Sequence, residues 1–201
     1  MYQSDLLNRY EFIAGVDEAG RGSLAGPVVA SAVLLDLDDP IEGLSDSKKL
    51  SEKIRCELEV EIKKKSLAWS VAWASSKEID NINILQATML AMRRAIIELS
   101  VKPDKILVDG NCLPNFNFEG NLIPGETIIG GDNKILSISA ASIIAKTTRD
   151  KIMYEIDKRF PIYEFAKHKG YGTKIHFSKL HEFGPCCEHR QTFSPMKELN
   201  K

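Results

Sequence analysis

The most informative segment of the chain is Ile13-Ala14-Gly15-Val16-Asp17-Glu18-Ala19-Gly20-Arg21-Gly22. In it an apolar run ends in two adjacent carboxylates and passes at once into a Gly-Arg-Gly turn. Successive residues of a strand face opposite sides. Asp17 and Glu18 can therefore share a site only if the chain turns there, and glycines permit the positive φ and close backbone approach that such a turn needs. Carboxylates at a strand end suit a hard cation, although a solvated acidic turn explains this segment equally well.

The composition indicates one globular domain over residues 1–201. Of the 201 residues, 43% are hydrophobic and 27% are charged, which is enough apolar material for one well-filled core. No apolar run approaches the roughly 20 residues that span a bilayer, and the N-terminus lacks the order of a signal peptide. We therefore expect a cytoplasmic protein with no membrane association. The four cysteines form no CxxC pair, which favours free thiols over a zinc site or a disulfide framework.

The formal net charge of −1 conceals an uneven distribution of charge along the chain. Residues 36–61 hold nine acidic residues against four Lys or Arg, whereas residues 146–181 hold nine Lys or Arg against four acidic residues. Clustered basic residues attract a polyanion locally. The alternative for the basic run is a solvated helix face.

The pattern of apolar residues predicts an α/β domain. Strands are expected at 10–17, 26–35, 67–74 and 105–108, the first three as an antiparallel meander. Helices are expected to begin near Ser51 and Ser76, the second reaching Leu99, and to cover 137–160 and 173–183. Residues 111–131, rich in Gly, Pro and Asn, are predicted to be a loop with room for a hairpin. The alternating Trp69 and Trp73 are predicted to be core residues.

Two further carboxylates are candidates for the same site as Asp17. Asp109 ends a short strand that is expected to run parallel beside the first, and Asp132 lies just before the long helix. Oxygen-only ligands favour Mg²⁺ or Mn²⁺ over zinc. Two such ions, roughly 3.5 to 4 Å apart, can activate water and stabilise the leaving oxygen of a phosphodiester. Taken singly, Asp109-Gly110 is also an ordinary turn, and Asp132-Asn133 also suits a turn or a helix cap.

Seven segments together resemble bacterial ribonuclease HII, in the order of that family and from about residue 10 to residue 195. They are GVDEAGRG (15–22), DSKKL (46–50), VDGN (108–111), GD (131–132), ISAASIIAK (138–146), GYGT (170–173) and HRQTF (189–193). The resemblance implies an RNase H-like fold with a mixed five-stranded sheet flanked by helices and a C-terminal helical segment over about 160–201. It also implies a catalytic and metal-binding site of Asp17, Glu18, Asp109 and Asp132 that holds Mn²⁺ or Mg²⁺. One departure is Gly130, where relatives often have lysine.

The resemblance further implies which substrates are cleaved and which residues recognise them. The substrates would be the RNA strand of RNA/DNA hybrids and single ribonucleotides embedded in duplex DNA, with cleavage 5′ of the ribonucleotide leaving 3′-hydroxyl and 5′-phosphate ends. The backbone of Gly20, Arg21 and Gly22 would read the ribose 2′-hydroxyl, the group that distinguishes RNA from DNA. Tyr171 would pack on the deoxyribose at the RNA–DNA junction.

Other residues are weaker candidates for contacts with the substrate. Lys48 is a candidate phosphate contact, with an exposed lysine as the alternative. Ser142 and Lys146 are candidates to line the cleft, although small helix residues are commonly packing devices. The histidines His168, His176 and His189 are expected to be structural or to contact phosphate rather than to ligate a metal.

Two other functions remain open at this point. One is a nuclease of the same fold that acts on DNA branches and would cut substrates made only of DNA. The other is a catalytically silent nucleic-acid-binding module, which would show no metal-dependent turnover. A monomer is expected, and residues 193–201 contain no identifiable motif for docking a protein partner.

Overall fold

A five-stranded mixed sheet forms the centre of the computed structural model, which describes residues 9–44, 50–118 and 121–199. The strands are β1 Ile13–Ala19, β2 Val28–Leu34, β3 Ala68–Ala74, β4 Lys105–Asp109, β5 Asn117–Phe118, β6 Asn121–Leu122 and β7 Gly125–Ile128. The main sheet has the order β3-β2-β1-β4-β7, and β5 and β6 form a separate small hairpin. The first three strands are antiparallel, which confirms the meander, whereas β4 runs parallel to both β1 and β7.

Six helices lie within the described residues. They are α1 Glu52–Lys65, α2 Ser76–Ile97, α3 Leu136–Arg159, α4 Phe165–His168, α5 Lys174–Phe183 and α6 Met196–Leu199. The Ser51 hydroxyl caps α1 by accepting from the Ile54 N–H. The cap of α2 is Ser75, one residue before the predicted position, because Ser75 and Glu78 form a capping box that satisfies two backbone N–H groups. No helix in these described ranges is long and apolar enough to cross a membrane.

Helices cover both faces of the sheet. On one face, α2 packs on a core that includes Val16, Ala30 and Ile106. On the other face, α1 and α3 pack on a second core that includes Val33 and Ile144. The sequence pattern therefore predicted the α/β fold class correctly. It also predicted most of the helices and strands near their observed positions.

A glycine allows α3 to approach the central strand closely. A Cβ added at Gly15 would overlap the backbone of Ser137 and Ile138, with the Ser137 carbonyl oxygen only 2.5 Å away. The small residues at the start of α3, including Ala140 and Ala141, are fully buried in the same layer. The amino-terminal half of α3 is thereby held against the strand that carries Asp17.

Three expectations from the sequence were wrong in detail. Residues 111–131 are not only a loop with a hairpin, because β7 within them is the fifth strand of the main sheet. The helix α2 is interrupted at Asn83, which has φ 66° and whose side chain accepts from the Gln86 N–H at 3.1 Å. Trp73 is half exposed instead of being a core residue, because its side of the edge strand β3 is only partly covered.

The C-terminal segment returns to the chain that follows the Gly-Arg-Gly turn. Ala25 and His189 form an isolated antiparallel bridge. The Gly26 N–H donates to the Glu188 carbonyl at 2.9 Å, and the Arg190 N–H donates to the Leu24 carbonyl at 2.9 Å. The HRQTF motif is thus fixed beneath the turn at the end of β1.

Candidate active site

Asp17 and Asp109 extend from neighbouring parallel strands. Val16 pairs with Val108 in the register of β1 and β4, and each of these valines is followed directly by the aspartate. This confirms the predicted parallel pairing, which brings the two strand ends together. Asp17 is only 5% exposed, whereas Asp109 is partly exposed.

The surroundings of Asp17 disfavour its negative charge. Burial raises its pKa well above the ordinary value, and the negative charges of Glu18 and Asp109 raise it further. The Glu18 N–H, 2.7 Å from Asp17 Oδ1, and the Ser142 hydroxyl lower the pKa by donating to the carboxylate, but they do not offset the rise. The site therefore concentrates negative charge that a bound cation would neutralise.

Glu18 lies beside Asp17 and faces a cation of the turn. Burial raises the pKa of Glu18, and the Arg21 guanidinium opposes that rise. The Arg21 Nη1 and the Glu18 Oε1 are 3.2 Å apart. The turn therefore supplies a positive group directly next to the carboxylates.

Asp132 is buried on the short 3-10 turn Gly131–Asn133, which connects β7 to α3. The Asn133 side-chain amide donates to Asp132 Oδ1 at 2.9 Å. The Gly131 N–H donates to Asp109 Oδ1 at 2.7 Å, which ties this turn to the end of β4. Gly130 has φ 65°, a left-handed conformation that favours glycine.

The carboxylates of Asp17, Glu18 and Asp109 lie near one another, and Asp132 lies on the adjacent turn, without enclosing an ion site. Within the described part of the chain, no three side chains of His, Cys, Asp or Glu are grouped so that they could hold a metal ion. Instead, N–H donors from Glu18, Gly131 and Asn133 and the guanidinium of Arg21 contact the carboxylate oxygens.

A cleft of about 390 Å³ opens between the end of β1 and α3. Its lining residues are Glu18, Ala19, Gly20, Arg21, Arg55, Ser142, Ile143, Lys146 and Tyr171. Six residues predicted from the sequence thus meet in one cleft. Asp17 and Asp109 lie at the neighbouring strand ends, and Asp132 lies on the turn that follows β7. Lys48 lies outside the described residues, as do all of residues 45–49. Arg55 was not predicted as a site residue. It lies in a helix with many other charged residues, and the local sequence pattern does not set it apart from them.

A buried arginine supports the Gly-Arg-Gly turn from below. Arg190 is fully buried and donates to the carbonyls of Gly20 at 2.7 Å, Arg21 at 2.9 Å and Gly26 at 3.1 Å. Gly20 has φ 94°, and a Cβ added there would overlap the side chain of Arg149. A Cβ added at Gly22 would meet nothing within 4 Å, so this end of the turn is open to a ligand.

Tyr171 projects into the cleft from a loop whose backbone is closely packed. Tyr171 is 38% exposed, and the centroid of its ring lies 5.9 Å from Lys146 Nζ and 5.4 Å from Arg149 Cζ. A Cβ added at Gly170 would be 2.5 Å from the Ala25 carbonyl oxygen. The Gly170 carbonyl accepts from the Leu24 N–H at 2.8 Å, which joins the tyrosine loop to the chain after the Gly-Arg-Gly turn.

The basic run at 146–181 does not form a continuous surface of uncompensated cations. Several of its basic residues pair with acids: Lys151 with Glu59, Lys158 with Glu155, Arg159 with Glu188, and Lys167 with Glu164. Lys146 lines the cleft, where its Nζ is also 2.7 Å from Asp150 Oδ1. Much of this run is therefore a solvated face, as the alternative interpretation predicted. Within residues 146–181, Lys146 is the basic residue that lines the cleft.

All four cysteines are free thiols, as the sequence predicted. The three buried histidines, His168, His176 and His189, bond to backbone groups or to each other, which agrees with the expected structural role.

Solved structures share this architecture over nearly the whole chain. The crystal structure of ribonuclease H2 from Pyrococcus horikoshii OT3 superposes with a TM-score of 0.76 at 26% identity, covering 94% of this chain and 96% of that one. The structure of Bst-RNase HIII in complex with Mn²⁺ superposes with a TM-score of 0.72 at 17% identity, covering 93% of this chain and 68% of that one. The fold is that of the RNase H class of nucleases.

The sequence relationship narrows this class to one family. The family model of ribonuclease HII matches residues 14–195. A ribonuclease HII of Vibrio parahaemolyticus serotype O3:K6 is 54% identical over 189 residues, covering 94% of this chain and 87% of that protein. The chain belongs to the ribonuclease HII family and is a ribonuclease H, an enzyme that hydrolyses RNA in RNA/DNA hybrids.

Proposed function

We propose that this enzyme also incises duplex DNA on the 5′ side of a single embedded ribonucleotide, leaving 3′-hydroxyl and 5′-phosphate ends. The observation that carries this proposal is that Gly20 and Arg21 of the Gly-Arg-Gly turn line one cleft with Tyr171, beside Glu18. One part of the cleft is open backbone suited to a ribose hydroxyl, and the other is an aromatic ring suited to a sugar face. Together they match one ribonucleotide and its deoxyribonucleotide neighbour.

The carboxylates Asp17, Glu18, Asp109 and Asp132 are proposed to hold Mn²⁺ or Mg²⁺, with two ions at the site. Their chemistry fits, since all four donors are oxygens and such cations prefer oxygen ligands. The electrostatics also fit, because the pKa of Asp17 is raised by burial and by its two acidic neighbours. When bound, the divalent cations would supply an activated water and neutralise charge at the scissile phosphate.

Residues of the cleft have separate parts in the proposed reaction. Asp17 and Asp109 place negative charge at the strand ends, where they would hold the divalent cations. Lys146 and Arg21 offset the charge of the nucleic acid backbone at the cleft wall. The Ser142 hydroxyl lowers the pKa of Asp17 and so favours the ionised form that would bind a cation.

The 2′-hydroxyl is proposed to be read by the backbone of Gly20, Arg21 and Gly22. The open side of Gly22 admits a sugar, and the buried Arg190 holds the carbonyls of the turn in fixed positions. Burial and the nearby Arg149 charge lower the pKa of Arg190 to about 9, which still leaves its guanidinium charged at neutral pH. A turn fixed from below can discriminate a hydroxyl from a hydrogen, because it does not rearrange to suit either.

The direct test uses a DNA duplex that contains one ribonucleotide, incubated with Mn²⁺, with Mg²⁺ or with a chelator, and the cut is mapped at nucleotide resolution. We expect one cut, 5′ of the ribonucleotide, only with a metal present. An all-DNA duplex and a branched DNA serve as controls. Cleavage of either control would favour a nuclease of DNA structure, and no cleavage at the ribonucleotide would refute the proposal.

Tyr171→Ala is expected to lower incision at a single ribonucleotide by about tenfold more than cleavage inside a long RNA/DNA hybrid. The reason is that the proposed sugar contact exists only at an RNA–DNA junction. Because the ring is partly exposed, the melting temperature should change little. The measurement is kcat/KM on both substrates together with the melting temperature. Tyr154→Ala, at a partly exposed ring outside the cleft lining, is the control. Equal losses on the two substrates would contradict the role in junction reading.

Lys146→Gln is expected to weaken hybrid binding and to lower the salt dependence of the affinity by about one unit of slope, because one phosphate contact is removed. Lys158→Gln lies on the same helix, where Lys158 is 70% exposed and paired with Glu155, so its affinity and slope should match the wild type. Binding is measured with Ca²⁺ in place of an activating metal, over a range of salt concentrations. Identical slopes for wild type and Lys146→Gln would exclude a phosphate contact by Lys146.

A further inference from the structure

Three buried histidines surround the backbone of the Tyr171 loop. His168, His176 and His189 come from α4, α5 and the HRQTF motif, and each is at least nine-tenths buried. The rings of His168 and His176 stack with centroids 4.4 Å apart. Phe165 packs against all three rings, so the group forms one compact aromatic cluster. The proposed reaction assigns no part to any of them.

Hydrogen bonds connect two of these rings to the Tyr171 carbonyl in a single line. His176 Nδ1 lies 2.9 Å from the Tyr171 carbonyl oxygen, and His176 Nε2 lies 3.0 Å from His189 Nε2. At the far end, the Cys186 N–H donates to His189 Nδ1 at 2.9 Å. All four ring nitrogens of the pair therefore have a partner.

These partners allow only one arrangement of the ring protons. A carbonyl can only accept, so His176 Nδ1 carries the hydrogen and donates to Tyr171. A neutral imidazole has one N–H, so His176 Nε2 is an acceptor and His189 Nε2 is the donor to it. His189 Nδ1 is then an acceptor, as the Cys186 N–H requires. Every bond in the line agrees with every other.

The surroundings keep both rings neutral, as this arrangement demands. Burial, together with the neighbouring His168, lowers the pKa of His176 to about 4. Burial also lowers the pKa of His189 to about 4, with His176 and His168 acting in the same direction. A proton added to His176 Nε2 would face the His189 Nε2–H, and a proton added to His189 Nδ1 would face the Cys186 N–H. In both cases two hydrogen-bond donors would oppose each other.

The line ends at the atoms that fix Tyr171. The Tyr171 carbonyl also accepts from the Thr173 N–H at 2.8 Å, and the Tyr171 N–H donates to the His168 carbonyl at 2.9 Å. The Gly170 N–H donates to His168 Nδ1 at 3.2 Å, while His168 Nε2 donates to the Tyr163 carbonyl at 2.9 Å. The peptide groups on both sides of Tyr171 are thus held by histidines.

We propose that His189 and His176 act as a positioning relay, in which the HRQTF motif sets the place of the Tyr171 ring in the cleft through one directed line of hydrogen bonds. The inference rests on the proposed reading of the RNA–DNA junction by Tyr171. His189 is followed by Arg190, which holds the Gly-Arg-Gly turn. The HRQTF motif then fixes the Gly-Arg-Gly turn and Tyr171, the two proposed contacts with the RNA–DNA junction, relative to each other. His176 and His189 are positioning residues and do not touch the substrate.

The kinetic test compares variants that keep or remove the donated hydrogen bond. His176→Leu and His189→Leu should each lower kcat/KM at a single ribonucleotide about tenfold more than kcat/KM on a long hybrid. His176→Asn retains an amide N–H near the position of Nδ1, and His189→Gln retains one near Nε2, so both should recover most of the ratio between the substrates. His181→Leu, at an exposed histidine of α5, should leave the ratio unchanged.

Two kinetic outcomes would overturn the relay. One is an equal loss on both substrates, which would show a general structural role. The other is no difference between the leucine and amide variants, which would show that ring packing matters and the donated bond does not. If the wild type itself fails to incise at a single ribonucleotide, the proposed function fails, and the proton arrangement is still decided by spectroscopy.

That second measurement uses wild-type protein labelled with nitrogen-15 at its four histidines. Long-range nitrogen–proton correlation spectra at pH 7 distinguish a ring nitrogen that carries hydrogen from one that does not. We expect His176 to be protonated only at Nδ1 and His189 only at Nε2, with His181→Leu assisting the assignment. The opposite tautomer at either ring, or a charged ring, would overturn the relay even if the leucine variants do not fold.

Discussion

Asp17→Asn is expected to lower hybrid cleavage by at least about 1,000-fold, because several kcal/mol of charge stabilisation at the scissile phosphate depend on the ions that this carboxylate is proposed to hold. Asp109→Asn should have an effect of the same size, since Asp109 extends from the adjacent parallel strand. Asp132→Asn should have a smaller effect, because its carboxylate is expected to position the second ion.

The same variants should fold normally, which separates loss of chemistry from loss of structure. Burial and two acidic neighbours raise the pKa of Asp17, so its ionised form opposes folding at neutral pH. Asp17→Asn removes that charge, and its melting temperature should equal or exceed that of the wild type. Asp39→Asn, at an exposed carboxylate paired with Lys65, is the control and should retain full activity. Near-normal turnover by Asp17→Asn would refute the metal site.

Gly15→Ala is expected to destabilise the protein by about 3 kcal/mol, at the upper end of the range for overpacked cores. For a chain of this length that corresponds to a fall of about 6 to 12 °C in melting temperature. The added Cβ would overlap the backbone of Ser137 and Ile138, which cannot rotate away as a side chain can. The helix α3 would have to move off β1, carrying Ser142 and Lys146 with it, so activity should fall as well.

Gly22→Ala is the matched control for this stability measurement. A Cβ at Gly22 would meet nothing within 4 Å, so the melting temperature should stay within about 1 °C of the wild type. The melting temperatures of both variants are measured by monitoring thermal unfolding with circular dichroism. An unchanged melting temperature for Gly15→Ala would show that the contact between α3 and β1 is looser than the structure has it.

The two buried arginines show where sequence reasoning reaches its limit. Arg149 and Arg190 are fully buried beneath the Gly-Arg-Gly turn, although arginine is normally a surface residue. The sequence placed Arg149 in a basic run and Arg190 in a motif, and neither placement reveals a guanidinium that binds backbone carbonyls. Those carbonyls belong to residues more than 120 positions away in the chain.

The strand β7 was missed for a related reason. It has four half-buried residues after a stretch of Gly, Pro and Asn, and so carries little of the alternating pattern that marks a strand. Its existence follows from pairing with β4, which local sequence does not encode. That pairing matters for the site, because the turn after β7 carries Asp132.

Local sequence patterns were enough to predict the central strand, the order of most helices and strands, the family, and Asp17 and Asp109 at the strand ends. These depend on local patterns, in which an apolar run, a cap or a turn residue acts within a few positions. Two features became known only from the folded chain: Tyr171, the Gly-Arg-Gly turn and the HRQTF motif are joined by hydrogen bonds, and most cations of the basic run are paired with acids. Those facts depend on contacts between distant segments, where packing and hydrogen-bond geometry decide which groups meet.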